Sequence, residues 1–287
     1  GGGILGAFQA GFLYEISEKI LFSVVSGSSI GAVNACLLYG GNAETLKNFW
    51  SDIGEDYLDF LPDPLKFASI FLGGAKNFSR PRVDFWNYIL DGLFILDYSP
   101  FIEAIKKFVD FDKINALKTP LIYINATNIR TGKTDVFINN EINIDNLTAS
   151  FSIPEIFPLK QINDKVYFDG AYTKNPAIEP FLLHGINELL IIKLLPETGK
   201  IPHNSEESKK RINEIIFSTP LRHESNFINY LNDLARKIPE LKKEYQPIEI
   251  SEICLNIDLK SYSPLMASKN FIKELFETGR KKALNII

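Results

Sequence analysis

The sequence is poor in the residues that carry metal, disulfide and imidazole chemistry: its 287 residues include two cysteines, three histidines, one methionine and two tryptophans. Cys36 and Cys254 are far apart, each among apolar neighbours. They form no CxxC pair and no ligand cluster, so both read as buried thiols of a reducing compartment. His184, His203 and His223 are too few and too scattered for a zinc site, and no metal or other cofactor is expected. No uninterrupted apolar run of about 20 residues occurs, so no membrane-spanning helix is expected. Positive charge is not in excess either. Lys+Arg total 31 against 35 Asp+Glu, a net −4 that gives no footprint for nucleic acid. The chain opens at Gly1 with a glycine run and neither a Met nor a preceding strand, and so reads as beginning inside a longer protein. That leaves any targeting signal undefined and the compartment open between the cytoplasm and a membrane surface.

What is present is an alternation of helix and strand patterns. Ala7–Ile20 carries Phe8, Phe12, Leu13 and Ile16 at helical spacing, and Leu21–Ser26 is a short apolar strand pattern bounded by glycine. Ile30–Tyr39 returns to helix and stops at Gly40-Gly41. Residues 42–115 read as mostly helical between prolines. Strands are expected at Leu121–Ala126, Asp135–Ile138, Val166–Phe168, Leu189–Leu194 and near Ile248–Ile257. The run at Leu189–Leu194 is apolar enough to be interior. Further helices are expected at Asp145–Phe151, with Asp145 as N-cap, and at Ser205–Phe217, Glu224–Lys237 and Ser268–Ile286. Phe227, Leu231 and Leu234 share one helical spacing and read as a core face. No linker or repeat divides the chain. The expectation is one α/β domain over residues 1–287, a three-layer α/β/α arrangement with a largely parallel central sheet.

Three local patterns carry chemistry. Gly27-Ser28-Ser29-Ile30-Gly31 fits G-x-S-x-G between an expected strand and an expected helix. There a serine sits on a strained turn with its hydroxyl presented, and the helix N-terminus points at the reacting centre. Gly27 and Gly31 are expected because a Cβ would collide with the neighbouring strand or helix. Upstream, Gly1-Gly2-Gly3 leads into a helix and offers bare backbone N–H groups to an anion, either a nucleotide phosphate or an oxyanion. A P-loop is excluded because no Gly-Lys-Ser/Thr follows. Gly1, Gly3 and Gly6 satisfy a dinucleotide spacing, but that reading leaves the serine elbow unexplained. Third, Val166-Tyr167-Phe168-Asp169-Gly170-Ala171 ends a strand on an acid with small neighbours. A carboxylate on that platform could take the hydroxyl proton of Ser29, and burial would raise its basicity. Taken alone, the Asp169-Gly170 pair fits an ordinary turn equally well.

In order and spacing these motifs resemble the patatin-like phospholipase family, which is related to cytosolic phospholipases. Ser29 and Asp169 are 140 residues apart, Ala149-Ser150-Phe151-Ser152-Ile153-Pro154 resembles the family's block before the aspartate, and Asn175-Pro176 resembles its segment after the aspartate. The likeness covers roughly residues 1–195. One departure stands out: where the family's glycine loop continues with Arg or Lys, this chain has Leu5. The resemblance implies a Ser29–Asp169 dyad, an oxyanion hole from Gly1, Gly2 and Gly3, and a fatty-acyl ester such as a phospholipid as substrate, met at a membrane surface. His184, His203 and His223 lie in segments unsuited to a triad, with His184 read as a helix C-terminal cap. Pro64–Phe78, apolar and glycine-containing, fits a lid or docking segment and equally a core helix. Two other functions stay open: an acyltransferase on the same dyad, and a lipid-binding member whose Leu5 marks weakened or lost activity.

Overall fold

The structure, a computed structural model, describes residues 2–53, 98–154, 157–196, 198–255 and 269–286. Gly1 and the candidate lid Pro64–Phe78 lie outside the described residues. In chain order the described elements are α1 (Gly6–Ile16), β1 (Val24–Gly27), α2 (Ile30–Gly40), α3 (Ala43–Asp52), α4 (Ser99–Phe108) and α5 (Phe111–Ala116). Then come β2 (Leu121–Asn128), β3 (Thr134–Ile138), α6 (Ile144–Ser150), β4 (Lys160–Ile162), β5 (Lys165–Asp169) and α7 (Glu179–Leu183). Last are β6 (Glu188–Lys193), α8 (Ser205–Lys237), β7 (Glu249–Cys254) and α9 (Lys269–Leu284). None of the described helices is long and apolar enough to cross a membrane.

The five-stranded sheet runs β1-β2-β5-β4, with β3 also on β2. β1 is parallel to β2, as the alternating pattern led one to expect, whereas β3 and β5 are antiparallel to β2, and β4 to β5. The expected parallel character therefore holds at β1–β2 and in the separate β6–β7 pair, and not across the whole sheet. The reason is connectivity: β2–β3 and β4–β5 are joined by links too short for a crossover helix, so each closes as a hairpin.

Strand alternation sorts the core into two layers. Ile122 and Ile124 of β2 join the larger cluster with α1, α2, α3, α4 and α9, while Tyr123 faces the cluster with α7 and α8. β6 follows the same rule: Leu189 and Ile191 face one side, Leu190 and Ile192 the other. Two covered faces explain its near-continuous apolar run. Its hydrogen-bonded partner is β7 alone among the described strands, however, so it is not interior to the main sheet. α1 and α9 pack at backbone distance. A Cβ at Gly11 would lie 1.9 Å from the Phe276 carbonyl oxygen, and one at Gly279 would lie 2.0 Å from that of Phe8.

Three local expectations change. Asn143, not Asp145, caps α6, its side chain accepting from the N–H groups of Asp145 and Asn146. α8 is one helix through Pro220 rather than two. Buried Leu221 and Ile228 after the proline, and half-buried Phe217 packed on Tyr172 before it, hold the helical course across the missing N–H. Its core face is also turned from the expected one: Ile228, Asn232 and Ala235 are buried, and Phe227 is exposed.

Candidate active site

β1 and β5 approach β2 from opposite ends and stop almost at the same level. Gly27 is in register with Ile124, and Asp169 with Ala126. The chain beyond each strand therefore turns off the sheet beside Asn125, and 140 residues of separation collapse to neighbouring positions. Asn125 is fully buried and ties the two turns together. Its Oδ1 accepts from the Ser28 hydroxyl at 2.5 Å, and its Nδ2 donates to the carbonyls of Gly170 at 3.0 Å and Lys174 at 3.1 Å.

Ser29 forms the elbow between β1 and α2. Its backbone has φ 56° and ψ −128°, a left-handed conformation for a residue with a Cβ, which costs about 1–3 kcal/mol. The surroundings hold it there. The Ser29 N–H donates to the Ser150 hydroxyl at 3.0 Å, and the Ser29 carbonyl accepts from Ala32 at 3.0 Å and Val33 at 3.2 Å, opening α2. Gly27 is required as expected, because a Cβ there would lie 2.6 Å from the Ala32 nitrogen and the Gly31 carbonyl. Gly31 is not required on that ground. A Cβ at that position would meet nothing nearer than Gln9 Oε1 at 3.9 Å, since the start of α2 leaves room beside it.

Asp169 closes β5 and is 1% exposed, with Ser29 at 4%. Its carboxylate accepts from the Ala171 N–H at 2.7 Å, and the Ser29 side chain is near enough to favour its charged form. The backbone is fixed on both sides: Asp169 N–H donates to the Ser152 carbonyl at 2.8 Å, and its carbonyl accepts from Thr127 Oγ1 at 2.9 Å. Burial pushes the Asp169 carboxyl up from 3.8 to about 6, against the opposing pull of the Ser29 side chain and the Ala171 N–H. A carboxylate of that basicity beside a serine hydroxyl has the form of a general base with its nucleophile. Gly170 lets β5 reach β2, since a Cβ would sit 2.0 Å from the Asn125 carbonyl oxygen.

The glycine loop is held against the same elbow. Gly2 and Gly3 have positive φ (154° and 55°), and Gly3–Leu5 makes one 3-10 turn into α1. A Cβ on Gly6 would lie 2.4 Å from Ile30, the residue after Ser29, and Asn34 Nδ2 of α2 donates to the Gly6 carbonyl at 2.9 Å. Leu5 is fully buried in the larger core cluster. The side chain at this position is thus a core group here.

His184 caps α7 and pairs its Nε2 with the Tyr123 hydroxyl at 2.6 Å, while His203 and His223 are exposed. A cavity of about 850 Å³ lies between β1 and β6 and is lined in part by Gly27, Ser28 and Gly31, though not by Ser29 or Asp169. Sequence reading missed Asn125, although a lone polar residue in the apolar run Leu121–Ala126 is itself a signal. Ser150 was visible within its block, yet nothing local revealed its bond to Ser29.

The description patatin-like phospholipase matches residues 1–182. No curated protein sequence matches the chain. Among solved structures, the crystal structure of VipD from Legionella pneumophila is similar at 16% identity and a TM-score of 0.41, covering 98% of this chain. The alignment spans 66% of the length of that protein. With more than half its length matched, the chain belongs to the patatin-like phospholipase family of lipid hydrolases.

Proposed function

We propose that the protein is a serine lipid acyl hydrolase of the phospholipase A or lysophospholipase type, working through Ser29 and Asp169. What supports the reading is that Ser29 holds a strained elbow after β1, while Asp169, a buried carboxyl pushed up to about 6, ends β5 almost level with it. Asp169 draws the proton from Ser29, whose oxygen attacks the fatty-acyl carbonyl. The tetrahedral intermediate collapses with expulsion of the alcohol, which takes that proton, and leaves an acyl-serine. Water, losing a proton to the same carboxylate, attacks the ester carbonyl and releases the fatty acid with return of the proton to Ser29. Backbone N–H groups of the Gly1–Gly3 loop are assigned to the oxyanion, an effect of about 10²–10³ in rate per donor. These donors come from the backbone, so the proposal does not depend on a cation at position 5. Leu5 and Ala283, near the two ends, share one core cluster, which supports reading the chain as one catalytic unit.

The test is hydrolysis of defined phospholipids and lysophospholipids with identification of the products. Wild type should release fatty acid, and Ser29→Ala should lower the rate at least about 10³-fold with its fold intact. Full activity in purified Ser29→Ala would end the proposal.

A further inference from the structure

α8 is apolar on two opposite sides. Its inner side is occupied: Leu221 and Ile228 are buried, Phe217 packs edge-to-face against Tyr172 with ring centroids 5.0 Å apart, and Glu224 accepts from the Ile178 N–H at 2.9 Å. Glu224 also pairs with Lys174, and Asn175 Nδ2 donates to the Phe217 carbonyl at 2.7 Å, so this side grips the loop that follows Asp169. On the far side lie Ile212, Ile215, Ile216, Phe227 and Tyr230. At about 100° per residue all five fall within about 60° of Ile212, whereas Phe217, Leu221, Glu224 and Ile228 fall about 120–180° away. Ile212 is 54% exposed, Phe227 53% and Tyr230 59%, more than a core-facing stripe tolerates.

Charge identifies the occupant. The acids of the middle of α8 face inward into ion pairs, Glu224 with Lys174 and Glu214 with Arg211. On the same 100° spacing Arg222 and Lys237 fall within about 80° of Ile212, and the one exposed carboxylate on that side, Asp233, is held by Arg236 at 3.1 Å. An apolar stripe edged by net positive charge fits the headgroup and acyl boundary of an anionic phospholipid surface. We propose that the outer face of α8 is the surface by which this protein lies on such a membrane. Docking there sets the lipid about one helix diameter, roughly 10 Å, from the loop that follows Asp169. The inference rests on the lipid-hydrolase reading for its occupant.

The test measures co-sedimentation of full-length protein carrying Ser29→Ala, so that the vesicles stay intact, with vesicles of equimolar phosphatidylcholine and phosphatidylserine and with pure phosphatidylcholine. The parent should bind the anionic vesicles more strongly. Ile216→Glu with Phe227→Glu should weaken partitioning at least about 10-fold, and Arg222→Glu with Lys237→Glu should remove the preference for phosphatidylserine. With Ser29 restored, both double variants should hydrolyse a soluble short-chain ester at the wild-type rate, which shows that they fold. Failure of the parent to bind either vesicle, or unchanged partitioning of the Ile216/Phe227 variant, overturns the proposal. A parent that elutes as a dimer and a variant that elutes as a monomer would assign the face to a second copy instead. Equal turnover of the soluble ester by wild type and by the Ser29→Ala protein would sink the dyad alone.

Discussion

Asp169→Asn should stabilise the protein while silencing it. In wild type the carboxyl is pushed from 3.8 to about 6 by burial, a rise of about two pK units. At about 1.4 kcal/mol per unit, keeping it charged costs the folded state ~3 kcal/mol. The sign follows from the direction of the shift. A carboxyl whose folded pKa lies above its unfolded one favours the native state when protonated, so that contribution is complete below about pH 4 and is lost as pH rises through about 6. Asparagine is isosteric, its Oδ1 can still accept from Ala171, and it does not titrate. Urea denaturation of wild type and Asp169→Asn at pH 4 and pH 8 would expose the difference. The variant should gain on wild type by about 2–3 kcal/mol between the two conditions. If the two proteins keep the same stability gap at both pH values, Asp169 is not the strained buried base described here.

Other perturbations follow from the same contacts. The kcat/KM for a soluble ester should fall below an apparent pKa of about 6 to roughly a tenth of its plateau one unit lower, as the base takes up a proton; a flat profile down to pH 4 would contradict this. Ser150→Ala removes the acceptor for the Ser29 N–H and should lower kcat by about 10- to 100-fold with KM little changed, and Ser150→Thr should restore most of it; parity of the Ala and Thr variants would count against a positioning part for this hydroxyl. Gly170→Ala drives a Cβ to 2.0 Å from the Asn125 carbonyl oxygen and should cost at least about 3 kcal/mol in chemical denaturation; a midpoint equal to wild type would show that β2 and β5 can move apart freely.

The parts of this site that could be read from sequence are those fixed by local chemistry. A small-residue elbow between an apolar strand and a helix, and an acid ending a second strand, declare themselves within a few residues. What could not be read is set by partners remote in the chain. The direction of β5 decides that Asp169 arrives level with Ser29, yet no residue of Val166–Asp169 states which way that strand pairs. The bond from Ser150 to Ser29 spans 121 positions and depends on where α6 lands. Leu5 is a departure from a family pattern in sequence and an ordinary core residue in space. α8 misleads in two ways. Pro220 suggests a break that tertiary packing overrides, and the apolar spacing of Phe227, Leu231 and Leu234 does not reveal which of two greasy faces turns inward.

The central claim is that Ser29 is a nucleophile activated by Asp169, and the most direct measurement is covalent labelling by a fluorophosphonate followed by peptide mass spectrometry. The expected result is one adduct, on the peptide containing Ser29, formed in wild type and strongly slowed in Asp169→Asn. An unlabelled Ser29 in protein that still hydrolyses esters, or an adduct on another residue, would contradict it.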